Sequence, residues 1–116
     1  MALETDPVKK VQSQLNAAQM LQDTGNFDKA LAEYQSILST DPDNPDANVG
    51  AGLALFGTGD KAKFQEAANY LQHFVDVAPD QHKFKSDAKA ILAELKNTEK
   101  VVPEKTTTPK RGTKRP

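Results

Sequence analysis

Residues 11–42 read VQSQLNAAQMLQDTGNFDKALAEYQSILSTDP, and residues 45–79 read PDANVGAGLALFGTGDKAKFQEAANYLQHFVDVAP. Laid one over the other, the two stretches state one pattern twice. Gln14, Ala17, Ala18, Leu21 and Gly25 fall where Asn48, Ala51, Gly52, Leu55 and Gly59 stand 34 residues later. Phe27, Ala30, Tyr34, Ile37 and Pro42 then match Phe64, Ala67, Leu71, Phe74 and Pro79 at a distance of 37 residues, so the second copy carries three extra residues between Gly59 and Phe64. Small and large apolar residues recurring at such a period mark a repeated helix–turn–helix unit. Each unit buries its apolar face only by stacking on a neighbour, and the stack offers a curved surface. The pattern predicts an all-α helical solenoid that binds partners.

The local signals place the helices. Asp6-Pro7 opens the first, since Asp accepts from a free backbone N–H and Pro suits the first helical position. Val8, Val11, Leu15, Ala18 and Leu21 recur at helical spacing, and Gly25 stops the run in a left-handed conformation. Asn26 is expected to cap a second helix with a stripe of Phe27, Ala30, Leu31, Tyr34, Ile37 and Leu38, ending before Pro42. Asp43-Asn44-Pro45 repeats the start signal for a third helix, Pro45 to Phe56. This helix is rich in small residues, and Gly50 and Gly52 predict a closely passing neighbour, because glycine inside a helix costs about 1 kcal/mol. After Gly57-Thr58-Gly59, Asp60 caps a fourth helix, which the three extra residues should lengthen by nearly a turn. A fifth segment, His82 to Lys96, carries Phe84, Ala88, Ile91, Leu92 and Leu95 at helical spacing and is polar elsewhere, Lys85 included. Terminal repeats need such a wet outer face.

Size and charge bound the rest. A chain of 116 residues makes at most one domain. We read residues 1–96 as that domain, with repeat one at 11–44, repeat two at 45–81 and a capping helix at 82–96. Residues 97–116 read as a flexible basic tail lacking core-forming residues. Up to residue 95 there are 8 Lys/Arg and 14 Asp/Glu, and beyond it 7 and 2, so an acidic body carries a basic end. There is no cysteine, which excludes disulfides and thiolate metal sites. No apolar stretch is long enough to span a bilayer. With no apolar leader in Met1 to Lys10, a cytoplasmic location is expected, or a periplasmic or membrane-tethered one if the chain is a fragment.

From Val11 to about Lys96 the chain resembles the tetratricopeptide repeat family. That motif runs from a large residue through a small pair, a glycine near the turn, an alanine and an aromatic to a proline. Here it reads Gln14, Ala17-Ala18, Leu21, Gly25, Ala30, Tyr34, Ile37, Pro42 and then Asn48, Ala51-Gly52, Leu55, Gly59, Ala67, Leu71, Phe74, Pro79, with a fainter echo at Lys85, Ala88 and Leu92. The chain departs from it in two ways: the large-residue slot is polar in both copies, and there are two full repeats where three are commonly needed. The resemblance implies a non-catalytic protein–protein interaction module that holds a partner peptide or helix in a concave groove lined by the first helix of each pair. Carried over by position, that groove comprises Gln12, Leu15, Asn16, Gln19 and Asp23, then Asp46, Val49, Leu53 and Phe56, with Lys83 and Ser86 from the cap. The carboxylate clamp of some members is rejected, because Leu15, Gln19, Gly50, Lys83 and Asp87 occupy its positions and Asp87 would repel a carboxylate.

Other readings compete at particular residues. Val49, Leu53 and Phe56 form an apolar strip for a partner, or lie covered by the cap through Phe84 or Ile91. Gln12, Asn16, Gln19 and Gln22 share a face, and amides both donate and accept; the alternative is an ordinary wet face. The apolar strip could also meet a second copy, making the chain a self-associating scaffold. Lys110, Arg111, Lys114 and Arg115 could contact nucleic acid or an anionic membrane weakly, though no interleaved aromatic supports base stacking, and nucleic acid is not the partner expected. No catalytic constellation stands out around His73 and His82, and no cofactor or metal ligand set is evident. Gly57-Thr58-Gly59-Asp60-Lys61 lacks the strand and glycine spacing of a phosphate loop and reads as a helix stop.

Overall fold

The computed structural model describes residues 7–103, and these form five α-helices and no strand. They are α1 (Pro7–Asp23), α2 (Phe27–Thr40), α3 (Pro45–Gly57), α4 (Phe64–Val77) and α5 (Lys85–Thr98), with a short 3-10 turn at Lys61–Lys63. Each helix packs on its neighbours in sequence, and α1 also touches α3. The all-α solenoid read from the repeat pattern is the fold observed. The expected cap at Asp6, and the basic residues from 104 onward, lie outside the described residues.

The turns follow the glycines. Gly25 has φ +86°; its N–H donates to the Gln22 carbonyl and that of Asn26 to the Leu21 carbonyl, which consumes the end carbonyls of α1. Gly59 has φ +73° and stops α3. Asn44 caps α3 through its side-chain oxygen, 2.9 Å from the Ala47 nitrogen. Asn26 does not cap α2 as expected: its side chain turns back to Thr24 Oγ1, and its backbone carbonyl serves Ala30. The three inserted residues do not extend α4 as α-helix. Asp60 Oδ1 accepts from Ala62, and Lys61–Lys63 wind as a separate 3-10 turn before Phe64.

The small residues of α3 have a definite cause. This helix lies between α2 and α4. A Cβ on Gly50 would meet the Tyr34 ring from α2, and one on Gly52 would sit 2.7 Å from Leu71 and 3.3 Å from the Ala67 carbonyl of α4. The neighbours at Gly50 are side-chain atoms, so the expected close backbone approach holds only at Gly52. Ala18, Ala30, Tyr34, Ile37, Ala47 and Ala51 bury one cluster, and Val49, Leu71, Phe74, Ala78 and Ala88 bury the next.

The C-terminal end differs from expectation. Residues 79–84 are taken up by turns, so α5 begins at Lys85 rather than His82. It runs to Thr98, past the expected end at Lys96. Lys100 then adopts φ +59°, the Val101 N–H returns to the Leu95 carbonyl at 3.0 Å, and Val101 packs on the cluster of Phe64, Ala68 and Leu95. Gln65 Nε2 holds the Val102 carbonyl at 2.6 Å. Residues 97–103 therefore close the body instead of starting a tail. Lys85, expected on the wet face, is buried, and its Nζ donates to the Ala78 carbonyl at 2.6 Å. A cation there suits the carbonyl-rich end of α4.

Candidate functional site

The first helix of each repeat, α1 and α3, and the turn before α5 enclose an open cleft of about 290 Å³. Nine of the eleven residues assigned to the groove by position line it: Gln12, Leu15, Asn16, Gln19, Asp23, Asp46, Val49, Leu53 and Lys83. Their convergence follows from spacing. Residues three and four apart share a helix face, so α1 offers Gln12, Asn16, Gln19 and Asp23 together while α3 offers Asp46, Val49 and Leu53.

Phe56 is not among the lining residues. It packs with its ring centroid 5.5 Å from that of Phe64, against the Phe64, Ala68 and Leu95 cluster. The strip it was to form with Val49 and Leu53 is largely covered. Val49 is buried among Leu71, Phe74 and Ala88, and Leu53, Phe84 and Ile91 pack on that cluster. Ser86 is exposed but does not line the cleft. Four residues join the lining that were not assigned to it by position: Gln22, Tyr34, Gly50 and Phe84. Gly50 is the signal that could have pointed to Tyr34. With no side chain on α3 at that point, the ring of an α2 residue reaches the cleft wall.

The wall on α1 is a row of amides. Gln12 Nε2 donates to Asn16 Oδ1 at 3.2 Å, and Gln22 Oε1 accepts from the Tyr34 hydroxyl at 3.0 Å. Burial pushes the Tyr34 hydroxyl up to about 12, and the nearby carboxylates of Asp23 and Asp46 push the same way. The three groups thus form one electronegative end of the cleft. Asp23 has no ion-pair partner among the described residues. Asp46 is met by His82 Nε2 at 2.7 Å. His82 Nδ1 accepts from the Phe84 N–H at 3.1 Å, which leaves the ring proton on Nε2 to donate to Asp46. The ring is also seated edge-on to Phe74, centroids 4.8 Å apart. His82 therefore fixes Asp46 at the rim of the groove. His73 makes the parallel bond to Asp43 at 2.8 Å on another face. Elsewhere in the lining, Lys83 Nζ lies 5.1 Å from the centre of the Phe84 ring.

Residues 21–69 match the family model of the tetratricopeptide repeat, a span that covers α2, α3 and the start of α4. Across this span the chain carries the tetratricopeptide repeat pattern. No curated protein and no solved structure gives a significant match. Tetratricopeptide repeats are in general protein–protein interaction modules, so protein partners are the class of ligand this fold serves. No helix among the described residues is long and apolar enough to cross a membrane.

Proposed function

We propose that the cleft between α1, α3 and the turn before α5 seats a segment of a partner protein, and that the chain works by this binding and not by catalysis. The observation that carries the reading is the convergence of the nine residues on one open cleft with an amide wall and a partly apolar floor. Amides bond a peptide backbone in either sense, donor or acceptor, while Leu15 and Leu53 supply apolar surface for its side chains. The electronegative end at Asp23, Asp46 and Tyr34 favours a segment that places a Lys or Arg there, with its chain continuing past Lys83.

The test replaces exposed wall residues that carry no core packing. Asn16→Arg with Gln19→Arg adds bulk and charge to the wall and should leave the helical circular-dichroism signal intact. Proteins captured from a lysate of the source cells by the wild-type chain, and identified, should be lost from the double variant. Equal capture by both proteins would overturn the groove reading. The second reading, self-association, has one observation in its favour: Met20 on α1 is 69% exposed beside the exposed Ala17. Sedimentation decides it, since a mass that falls on dilution and is reduced by Met20→Glu would put a second copy on that face.

A further inference from the structure

A second cleft, of about 430 Å³, opens between α2 and α4 and shares no residue with the groove. Leu38 and Pro42 line one side, Tyr70 and His73 the other, and Asn48 of α3 lies at its base, 3% exposed. Both rims are held. Gln35 Nε2 reaches the Tyr70 hydroxyl at 3.4 Å, and His73 is tied to Asp43. The space exists because Asn48, a short residue, occupies the step that the repeat motif gives to a large one.

Asn48 also states what the cleft lacks. Its Nδ2 spends both hydrogens, on the Pro42 and Asn44 carbonyls at 3.0 Å each. Its Oδ1 accepts from no described residue. A buried acceptor without a donor is costly, so it selects for a ligand that brings one. The ligand must be apolar in bulk, to suit Leu38, Pro42 and the Tyr70 ring. A donor with no acceptor attached suits the site best, because it asks for no second hydrogen bond there. Among side chains, the indole of tryptophan meets both conditions: a large flat ring with one N–H that donates only. This chain contains no tryptophan, so neither a second copy nor its own terminus can supply the group.

We propose that the α2–α4 cleft is a second docking site that takes a tryptophan side chain of a partner protein, its indole N–H donating to Asn48 Oδ1. The proposal is independent of the groove and stands or falls separately from it. The probes are indole and 1-methylindole, which differ in the N–H alone. Because the protein is free of tryptophan, indole emission can be followed without background, and backbone and side-chain amide shifts locate the site. Indole should shift Leu38, Tyr70, His73 and the Asn48 side-chain amide and leave Gln19 and Val49 unmoved. Loss of the one hydrogen bond should make 1-methylindole about fivefold weaker. In Asn48→Leu the two probes should bind alike; where that variant fails to fold, Tyr70→Ala should weaken indole instead. Equal affinity of the two probes for the wild type, shifts confined to the groove, or no binding would each overturn the proposal. So would the same shifts appearing on concentrating the protein alone, which would assign the cleft to a second copy.

Discussion

Gly50→Ala should destabilise the protein although it improves the helix. On propensity alone, alanine for glycine in the middle of α3 gains about 1 kcal/mol. Against that stands the Tyr34 ring. A Cβ at position 50 would lie 2.7 Å from Cε2 and closer still to Cζ and Cε1. The ring has little room to retreat. It is 4% exposed, its hydroxyl is held by Gln22, and it is packed in the cluster of Ala18, Ala30, Ile37, Ala47 and Ala51. Overpacking of a fixed core costs about 1–3 kcal/mol, and displacing a buried aromatic adds to that. The net is a loss of about 2 kcal/mol, or roughly 10 °C in Tm for a domain of this size. Urea unfolding followed by circular dichroism measures it. The decisive comparison repeats the substitution in Tyr34→Val, where the ring is gone. There Gly50→Ala should stabilise by about 1 kcal/mol, a coupling of about 3 kcal/mol between the two sites. The reasoning is refuted if Gly50→Ala raises stability in the wild type, or if its cost is the same with and without the ring.

Further outcomes follow from single contacts. Asn44→Ala removes the cap on Ala47 and should cost about 1 kcal/mol in the same urea assay. Lys85→Met keeps the aliphatic stem but leaves the Ala78 carbonyl unpaired, and should cost about 1–2 kcal/mol by the same measurement. A chain ending at Lys96 loses Val101 and its bond to Leu95, and should unfold about 2 kcal/mol more easily than one ending at Pro103. Tyr34 ties stability to alkaline pH. Its folded value, about 12, lies above the ordinary 10.0, so the folded state holds this proton more tightly than the unfolded one. That contribution is whole below pH 10 and is lost as pH rises from 10 towards 12. The urea midpoint should fall across this range, and Tyr34→Phe should lose that part of the slope.

What was legible in the sequence was whatever a period can carry. The step of Val11, Leu15 and Ala18 names the buried face of α1, and the same spacing names Gln12, Asn16 and Gln19 as the face beside it. Gly25 and Gly59 announce the turns because only glycine takes positive φ freely. A period does not say which neighbour lies on a face. Phe56 sits in register with Val49 and Leu53, yet Phe64 stands beside it after the 3-10 turn, and two aromatics at the end of a hairpin bury each other before either reaches the groove. Lys85 reads as a solvent residue by type. Its stem is long enough to lie along the packed surface and bring the ammonium to the end of α4. Val101 follows Lys100, and nothing local reveals that the chain folds back there onto Phe64 and Leu95.

Two of the three polar residues at the motif's large-residue slot do the same thing. Gln14, Asn48 and Lys85 stand at successive copies of the same step, 34 and then 37 residues apart. Asn48 bonds the Pro42 carbonyl, and Lys85 bonds the Ala78 carbonyl, in each case the loop that enters the helix. Gln14 reaches Ser36 of α2 at 3.5 Å. A large apolar residue at this step would fill space between helices; a polar one ties the incoming loop. A directional bond to the loop also fixes the angle at which one hairpin stacks on the next. The cost is volume. Lys85 is long enough to cover its own site, whereas Asn48 holds the loop but leaves the cleft beside Leu38 and Tyr70 open. The residue that secures the α2–α3 junction thus also lines the open cleft, and its Oδ1 is used by no described residue, which is why binding at that cleft should tighten the junction as well. A ligand there should slow amide exchange at Ala47 and Asn48, at the start of α3, more than at Leu95 in α5.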